Sequence, residues 1–461
     1  MYNKTIFIFH RSLRLEDNIG LIEALKNSEY VITIFILNTE QIGDKNKFRS
    51  INSISFMIEA LISLNEQLEK KGSKLFVLCS KGLTQYELID KILISDEDIE
   101  AVYTNKDYTK YSINRSNKMK KIVEDNECNY IECEDYLLHP MNSILNGSNE
   151  FYSVFTPFYK KAITMKVDEC LSNKHKNYIS KKYELIKTID IDNIYKSCKL
   201  ETNDITFLGN RKEGLKKIEL IKNHKNYSDD RNKLFKETTK LSPYIKYGIV
   251  SIREVYHRIK ELFGKKHDLI RQIYWREFYY NISFNRPDIF DGNSFRPKYD
   301  KIVWQNNPKF FKLWKEGNTG YPIVDAGMRE LNETGYMHNR TRLIVSNFLV
   351  KQLFVDWRKG EKYFATKLID YDPSVNNGNW QFSSGSGADA QPYFRMINPF
   401  TQGEKHDPDC IYIKKWIKEL KDVPNEDIHN WNIEYKKYSV YLKPCKEYDF
   451  QKLKKDLKKI Y

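Results

Sequence analysis

Four short apolar runs alternate with longer amphipathic stretches in the first part of the chain. The runs are rich in β-branched and aromatic residues, which is typical of buried strands, and they read TIFIFH, YVITIFIL, KLFVLC and EAVYTN. Stretches such as SISFMIEALISLNEQLEKKG lie between them, and their apolar positions recur with a helical period. The alternation predicts an α/β domain with a parallel sheet over residues 1–135.

The pattern changes after residue 135. Residues 136–200 are lysine-rich and less periodic, which is typical of a long surface connection, so we predict a linker there. From residue 201 onward helical patterns dominate, as in GIVSIREVYHRIKELFG, DLIRQIYWREFYYNI and NRTRLIVSNFLVKQLFVDW. We therefore expect a large, all-helical second domain over residues 201–461. The closing KLKKDLKKIY is predicted to be a solvated helix end.

The composition is typical of a globular protein outside the membrane. Of the 461 residues 41% are hydrophobic and 30% are charged, and no apolar run reaches the roughly 18 residues of a membrane span. The start of the chain, MYNKTIFIFHRSLRLEDN, lacks the pattern of a secretory signal. The seven cysteines are scattered without a CxxC pair, which supports neither a disulfide framework nor a metal site. We expect an intracellular protein, cytoplasmic or nuclear.

The net charge of +14 is compatible with a polyanionic partner, because Lys and Arg that neutralise phosphates release counterions. Many basic proteins bind no nucleic acid, so the charge alone leaves both interpretations open. The predicted sheet could hold a nucleotide-like ligand at its carboxyl edge. However, neither GxGxxG nor GxxxxGK[ST] is present, so no dinucleotide or P-loop triphosphate site is indicated there.

A run of hydroxyl residues precedes a predicted helix near residue 242. Backbone N–H groups and hydroxyls at a helix N-terminus suit a phosphate, although a capped helix without a ligand explains the pattern as well. The residues are Tyr227, Thr238, Thr239, Lys240, Leu241 and Ser242.

Two further helical faces carry candidate chemistry. Leu269, Gln272, Trp275 and Arg276 share one face of a predicted helix, which suits a pocket that stacks a base and reads its edge, or simply a packed core. On a later helix, one face carries Asn339, Arg342 and Leu343, and the segment LIDYD supplies Asp370 and Asp372. An arginine in a helical core needs a carboxylate partner, for a structural ion pair or for cofactor binding.

Three tryptophans, Trp304, Trp357 and Trp380, are spread over the predicted helical domain. Aromatic side chains dominate protein cores, and spacing alone does not make them a redox chain. Trp380 lies in the stretch NNGNWQFSSGSGADAQPYFR, whose Asn, Gly and Ser content is typical of a loop.

Taken together, these segments resemble the photolyase/cryptochrome family, and most closely the class I cyclobutane pyrimidine dimer photolyases. The similarity covers nearly the whole chain, starting at HRSLRLEDN. The matching segments are TTKLSPY (238–244), WREFYY (275–280), KFFKLWKEGNTGYPIVDAGMRELNETGYMHNRTR (309–342), DWRKGEKYF (356–364), LIDYDPSVNNGNWQF (368–382) and PYFRMINPFTQGEKHD (392–407).

The resemblance implies an α/β antenna domain joined to a helical FAD domain. It implies that FAD is bound by Tyr227, the run 238–242, Leu269 and residues 370–372, which include Tyr371, with Arg342 paired to Asp370. Asn376 matches the position that faces flavin N5, where an amide can accept or donate a hydrogen bond. A folate or a deazaflavin in the antenna domain is a further expectation. The implied partner is UV-damaged DNA, bound by a monomer.

The implied reaction is light-driven repair, in which excited reduced FAD gives an electron to a flipped-out pyrimidine dimer. By resemblance Trp380, Trp357 and Trp304 form the electron-transfer chain from flavin to surface. The remaining matches concern substrate and DNA. They are Gln272, Trp275, Arg276, Asn339, Arg340 and Leu343 around the lesion pocket, and Arg231 and Gln402 at DNA-contacting positions.

Two positions depart from the class I pattern. Gln272 stands where many class I enzymes carry Glu, and Leu343 stands where they typically carry Met. Because an amide supplies no carboxylate to the dimer, we expect weaker or slower dimer repair. By resemblance, Gln at position 272 is usual in (6-4) photolyases and animal cryptochromes, so a (6-4) photolyase stays a weaker alternative. It would need histidines at the positions of Asn339 and Leu343, and neither residue donates a titratable proton. A blue-light cryptochrome photoreceptor is the second hypothesis.

Overall fold

A five-stranded parallel sheet organises the first part of the chain. The computed structural model describes residues 1–191, 193–194, 207–390 and 395–447. The strands are β1 Tyr2–Phe9, β2 Ser28–Leu37, β3 Phe76–Cys79, β4 Ile99–Asn105 and β5 Asn129–Cys133. Their order is β3-β2-β1-β4-β5, with Ile6 of β1 aligned to Ile32 and Val102 in its two neighbours. The predicted parallel α/β domain is confirmed.

Five helices connect or follow these strands: α1 Ile19–Asn27, α2 Thr39–Ile42, α3 Ile51–Glu69, α4 Gln85–Ser95 and α5 Lys110–Asp125. Local sequence explains where they begin. Ser50 and Thr109 cap α3 and α5 through their hydroxyls, and Thr84 and Glu87 form a reciprocal capping box at the start of α4. Their apolar faces cover the sheet, whose β1 residues Ile6 to Phe9 are almost fully buried.

The linker over residues 136–200 stays a prediction: most of its described residues are exposed or half-buried, but some of its apolar side chains are buried. Helix α6, Phe155–Ala162, buries Phe155, Phe158 and Ala162 completely. Tyr178 forms a parallel bridge with Val31 of β2. The apolar side chains lack a clear period, yet long-range packing against the helical domain buries them. The boundaries at residues 135 and 200 stay predictions.

The described part of the second domain is helical, as predicted. Its helices are α7 Arg211–Glu219, α8 Tyr227–Asp230, α9 Ser242–Lys246, α10 Ile252–Phe263, α11 Asp268–Asn285, α12 Pro308–Glu316, α13 Pro322–Thr334, α14 Asn339–Asn347, α15 Trp357–Lys367, α16 Pro373–Ser384, α17 Pro399–His406, α18 Ile411–Trp416, α19 Asn425–His429 and α20 Trp431–Glu434. Helix α14 continues as a π-helix over Phe348–Gln352. Short 3₁₀ helices cover Leu220–His224, Pro287–Asp291, Pro297–Lys301, Lys418–Leu420 and Tyr435–Lys437.

The first part of the stretch whose composition is typical of a loop, residues 376–384, belongs to helix α16, so the loop expectation is wrong for that part. Asp372 caps the helix by accepting from the Val375 N–H at 3.2 Å, and Gly385 ends it with a φ of 88°. A Cβ on Gly378 would lie 2.2 Å from the ring of Tyr279, so glycine lets α16 pack directly on α11.

Buried ion pairs join the two domains. Arg14 and Asp17 follow β1, Asp135 follows β5, and Arg253 comes from α10. Asp135 pairs with Arg14 and Arg253 at 2.8 Å each, and Arg253 also pairs with Asp17 at 3.0 Å. Although burial raises it, the two arginines hold the pKa of Asp135 at about 2. The α/β and helical domains are therefore held together by charges that are closed to solvent.

Two predicted features lie outside the described residues, namely residues 392–394 and the closing KLKKDLKKIY. Among the residues that are described, no helix is long and apolar enough to cross a membrane.

Candidate cofactor-binding site

A cavity of about 320 Å³ opens in the helical domain between α9, α10, α11, α14 and α16. Its size is within the range of small-molecule sites. All eleven residues predicted to bind the cofactor line it: Tyr227, Thr238, Thr239, Lys240, Leu241, Ser242, Leu269, Arg342, Asp370, Tyr371 and Asp372. The structure thus brings together side chains that are up to 145 positions apart, from 227 to 372 (372 − 227 = 145).

The hydroxyl run precedes a helix, as the sequence pattern predicted, but this helix is short. Helix α9 has five residues, and Leu241 precedes it without a side-chain capping bond. Lys240 has a left-handed backbone with a φ of 50°. Instead of capping α9, the Ser242 hydroxyl donates to Asp370 Oδ2 at 2.6 Å. The run therefore offers its remaining hydroxyls and backbone groups to the cavity with little support from a helix dipole.

Arg342 and Asp370 form the expected ion pair in the cavity wall. Arg342 Nη2 donates to Oδ2 at 3.0 Å and to Oδ1 at 3.2 Å, and its Nε donates to the Met337 carbonyl at 2.8 Å. Burial lowers the pKa of Arg342, but Asp370 and Tyr336 outweigh this effect and raise the pKa above its ordinary value, so the guanidinium stays charged. Tyr336 lies under the guanidinium with 5.2 Å between Cζ and the ring centroid. The pair places a positive and a negative group side by side in the cavity.

Asp372 connects the cavity to several buried partners. Its Oδ2 accepts from Tyr280 and, at 2.9 Å, from Arg11 Nη1. Burial raises the pKa of Asp372, but Arg11 and these hydrogen bonds lower it below its ordinary value. Its other oxygen caps α16. The carboxylate is therefore both charged and fixed in position.

Asn376 and Trp380 project from the same face of α16 into the cavity, one turn apart. Asn376 Nδ2 donates to the Glu361 carbonyl at 3.3 Å, and among the described residues no group donates to its Oδ1. The Glu361 carboxylate accepts from Asn377 Nδ2 at 3.1 Å. Burial raises the pKa of Glu361 to about 7. The Glu361 carbonyl thus orients the Asn376 amide through its Nδ2, and the amide oxygen is available to a ligand.

The three tryptophans pack in one apolar cluster of the helical domain. Trp380 and Trp357 are buried, with 2% and 1% exposed, whereas Trp304 is half-buried. Trp380 meets Phe364 edge to face with centroids 5.0 Å apart, and Trp304 lies 5.1 Å from Phe354. Trp380 lines the cavity, and Trp304 is the most exposed of the three, while the electron-transfer chain stays a prediction.

The predicted substrate residues fall into two groups. Gln272, Arg276, Asn339 and Leu343 line the cavity. Trp275, Arg231, Arg340 and Gln402 are not among its lining residues. Trp275 stacks on Phe155 of α6 with centroids 3.7 Å apart, and Arg340 Nε donates to Asn232 Oδ1 at 3.2 Å.

Arg276 has partners that do not favour a DNA contact. Its guanidinium lies over the rings of Tyr136 and Tyr280 at 4.1 and 5.1 Å and donates to the Tyr136 carbonyl at 3.1 Å. It also pairs with Glu277 at 3.1 Å, with only 12% of the Arg276 side chain exposed. The substrate role of Arg276 stays a prediction, and these contacts indicate a role between the domains instead.

Sequence reasoning missed several cavity residues. Asn379 and Ser383 line the cavity three and seven positions after Asn376, so a helical period would have found them if 373–384 had been predicted as helix. Tyr136 and Lys246 also line it. Tyr136 comes from the segment that follows the α/β domain, and no local pattern signals its approach.

The residues present fit FAD. The Thr238–Ser242 run and Lys240 supply hydroxyls, backbone N–H groups and a cation that suit a diphosphate. Ile245, Ile252, Val255 and Ile259 supply an apolar wall for planar rings. Arg342, Asp370 and Asn376 supply the donors and acceptors that ring edges require. The site combines the three chemistries of a flavin dinucleotide.

The fold and the cavity together define the class of protein: a two-domain flavoprotein with a parallel α/β domain and a helical domain that holds the cofactor site. The family model described as DNA photolyase matches residues 5–172, and the model described as the FAD binding domain of DNA photolyase matches residues 269–455. The chain belongs to the DNA photolyase family, and it has the family's FAD-binding domain.

Relatives and solved structures agree with this assignment. The deoxyribodipyrimidine photo-lyase of Buchnera aphidicola (Acyrthosiphon pisum) is 36% identical over 92% of this chain and 90% of its own. That of Escherichia coli is 32% identical over 91% and 90%. The archaeal photolyase of Sulfolobus tokodaii, solved with two FAD molecules, superposes with a TM-score of 0.87 at 38% identity, covering 99% of this chain and all of its own. A Synechocystis cryptochrome reaches 0.88 at 26% identity, covering the whole of both chains.

Proposed function

We propose that this protein is a light-driven photolyase that repairs cyclobutane pyrimidine dimers in DNA. One observation carries the proposal: the predicted cofactor residues, Asn376, Trp380 and four of the predicted lesion residues all line a single cavity. The curated relatives named deoxyribodipyrimidine photo-lyase cover most of the chain at 30–36% identity and support the same activity.

The cofactor supplies the light-absorbing group and the electron when it is bound, and the protein holds and tunes it. The Arg342–Asp370 pair and Ser242 fix hydrogen-bonding groups at its edge. The Asn376 amide, oriented by the Glu361 carbonyl, suits flavin N5 because it can accept from a protonated nitrogen or rotate to donate to an unprotonated one. In the proposed chain, electrons pass from the half-buried Trp304 to Trp357 and then to Trp380, which lies in the cavity wall next to the cofactor.

The lesion side of the cavity uses neutral groups. Gln272 and Asn339 can hydrogen-bond the edge of a thymine, and Leu343 offers an apolar contact. The net charge of +14 favours binding to the phosphate backbone, to which Arg231, Arg340 and Gln402 are proposed to contribute. These residues position DNA without reading its sequence.

A blue-light photoreceptor is the second candidate, and the structural likeness to the Synechocystis cryptochrome favours it. The (6-4) activity is disfavoured because Asn339 and Leu343 offer no titratable proton at the lesion. A folate or deazaflavin in the α/β domain stays a proposal. A second FAD is a further candidate, because the Sulfolobus photolyase structure contains two FAD molecules.

The proposal is tested with purified protein and UV-irradiated DNA. We expect bound FAD and loss of dimers under blue light, with no loss in the dark. If the flavin photoreduces normally while the dimers persist, the repair function is wrong and the photoreceptor hypothesis gains support.

A further inference from the structure

An ion pair lies at the topological switch point of the parallel sheet. Strand β1 pairs with β2 on one side and β4 on the other, so the chain direction of the connections reverses at β1. Open α/β sheets bind ligands in the crevice outside the carboxyl ends of such strands. Here Arg11 follows β1 by two positions, Asp107 follows β4 by two, and Arg11 Nε lies 2.9 Å from Asp107 Oδ2.

The same arginine reaches the helical domain with its other end. Arg11 Nη1 lies 2.9 Å from Asp372 Oδ2, 2.6 Å from the Tyr136 hydroxyl and 2.7 Å from the Tyr280 hydroxyl. Its guanidinium also lies 4.6 Å from the centroid of the Tyr136 ring. Only 15% of the Arg11 side chain and 7% of the Asp372 side chain are exposed. One buried side chain therefore connects the sheet edge to a residue of the cofactor cavity.

Asp372 is the residue through which this contact would act. Besides lining the cavity, it accepts from Val375 N–H through Oδ1 and from Asn376 N–H, at 2.8 Å, through its backbone carbonyl. Both donor N–H groups belong to the first turn of α16, the helix that carries Asn376 and Trp380. A shift of Asp372 would therefore move the beginning of that helix as well as a cavity wall.

We propose that Arg11 is a positioning residue of the FAD site, supplied by the α/β domain across the domain interface. It holds Asp372, and Asp372 holds the start of α16 and its face toward the cofactor. Asp107 orients Arg11 by pairing with its Nε, so two residues at the switch point of the sheet help to position a wall of the cavity in the helical domain. This inference rests on the assignment of the cavity to FAD.

The test uses full-length holoenzyme and three variants of the contact. Arg11→Gln removes the positive charge. Arg11→Lys keeps the charge but lacks the guanidinium fork that contacts Asp107 and Asp372 at the same time. Asp107→Asn removes the carboxylate that pairs with Arg11 Nε. The matched control is Arg211→Gln, because Arg211 is similarly buried (12% exposed) and paired with Glu254 at 2.5 Å, yet it does not line the cavity. FAD release is followed by the fluorescence of free flavin, and unfolding by far-UV circular dichroism in urea.

We expect Arg11→Gln to release FAD on the order of tenfold faster than the wild type, since losing one partner of a buried charge pair acts mainly on dissociation. Arg11→Lys should restore part of this loss, and Asp107→Asn should show a smaller increase. The visible flavin band should shift in Arg11→Gln, whereas Arg211→Gln should lower only the unfolding midpoint.

The proposal is overturned if the Arg11 variants release FAD at the wild-type rate, or if Arg211→Gln accelerates release equally. Should Arg11→Gln not fold, Arg11→Lys and Asp107→Asn decide between these outcomes. A wild-type protein that binds no FAD would instead contradict the assignment of the cavity, so the two failures can be distinguished.

Discussion

Gly360 lies directly against Trp380: a Cβ at position 360 would come within 2.2 Å of Cη2 of the indole and 2.6 Å of Leu349. Helix α15 can therefore approach the Trp380 ring only because residue 360 has no side chain. We predict that Gly360→Ala displaces Trp380, slows flavin photoreduction and costs about 1–3 kcal/mol of stability by overpacking.

Gly147→Ala is the matched control for this substitution, because nothing lies within 4 Å of a Cβ built at that position. It should leave photoreduction and the urea midpoint unchanged. A Gly360→Ala protein with wild-type photoreduction would show that the position of the indole is not limiting.

Trp380→Phe should nearly abolish photoreduction of oxidised flavin, because phenylalanine is much harder to oxidise than tryptophan. Repair by enzyme that was chemically reduced beforehand should persist, since it does not need the chain. The measurement is flavin absorbance under blue light. Trp431→Phe is the control, because Trp431 is equally buried but packs against Tyr438 and Tyr441. Unchanged photoreduction in Trp380→Phe would show that Trp380 is not part of the electron-transfer chain.

Gln272→Glu should raise the rate of dimer repair if the missing carboxylate limits the reaction. Gln272 lines the cavity, and its Nε2 donates only a long bond of 3.4 Å to the Asp268 carbonyl, so the exchange disturbs little. Single-turnover repair of a defined dimer is the measurement. Gln41→Glu adds the same charge at an exposed position and controls for weaker DNA binding. Equal rates in Gln272→Glu and the wild type would refute this explanation of slow repair.

Glu361 predicts a pH dependence of stability. Burial raises its pKa from 4.5 to about 7, so the folded protein binds this proton more tightly than the unfolded chain and loses stability as the pH rises from about 5 to 7. We expect Glu361→Gln to gain about 1–2 kcal/mol over the wild type at about pH 8 and nothing at about pH 4, after allowance for partial exposure.

The measurement is the free energy of unfolding in urea at the two pH values. Glu404→Gln, at an exposed position, is the control and should change stability equally at both. A pH-independent effect of Glu361→Gln would mean that the carboxyl is not protonated in the folded protein.

Much of the α/β domain could be predicted because four of its strands are continuous apolar runs. Strand β5, Asn129–Cys133, escaped prediction because it is a partly exposed edge strand with polar residues. Helix α6 escaped because Phe155 and Phe158 are buried by α11, a contact that no local period encodes.

The candidate site could be predicted where motifs are long and contiguous, as in 238–242 and 370–376. The composition of α16 concealed a helix, because its stability comes from the Asp372 cap and from packing of Gly378 on Tyr279. Arg11, Tyr136 and Lys246 were missed for another reason. Arg11 and Tyr136 approach the cavity from across the domain interface, and Lys246 is the last residue of α9, so all three positions depend on the tertiary fold.

The most direct test of the central claim is repair measured separately on DNA with a single cyclobutane dimer and on DNA with a single (6-4) photoproduct. Reduced holoenzyme is illuminated with blue light, with a dark sample and Trp431→Phe as controls. We predict light-dependent loss of the cyclobutane dimer and persistence of the (6-4) lesion. Persistence of both lesions, with FAD bound and photoreducible, would contradict the account.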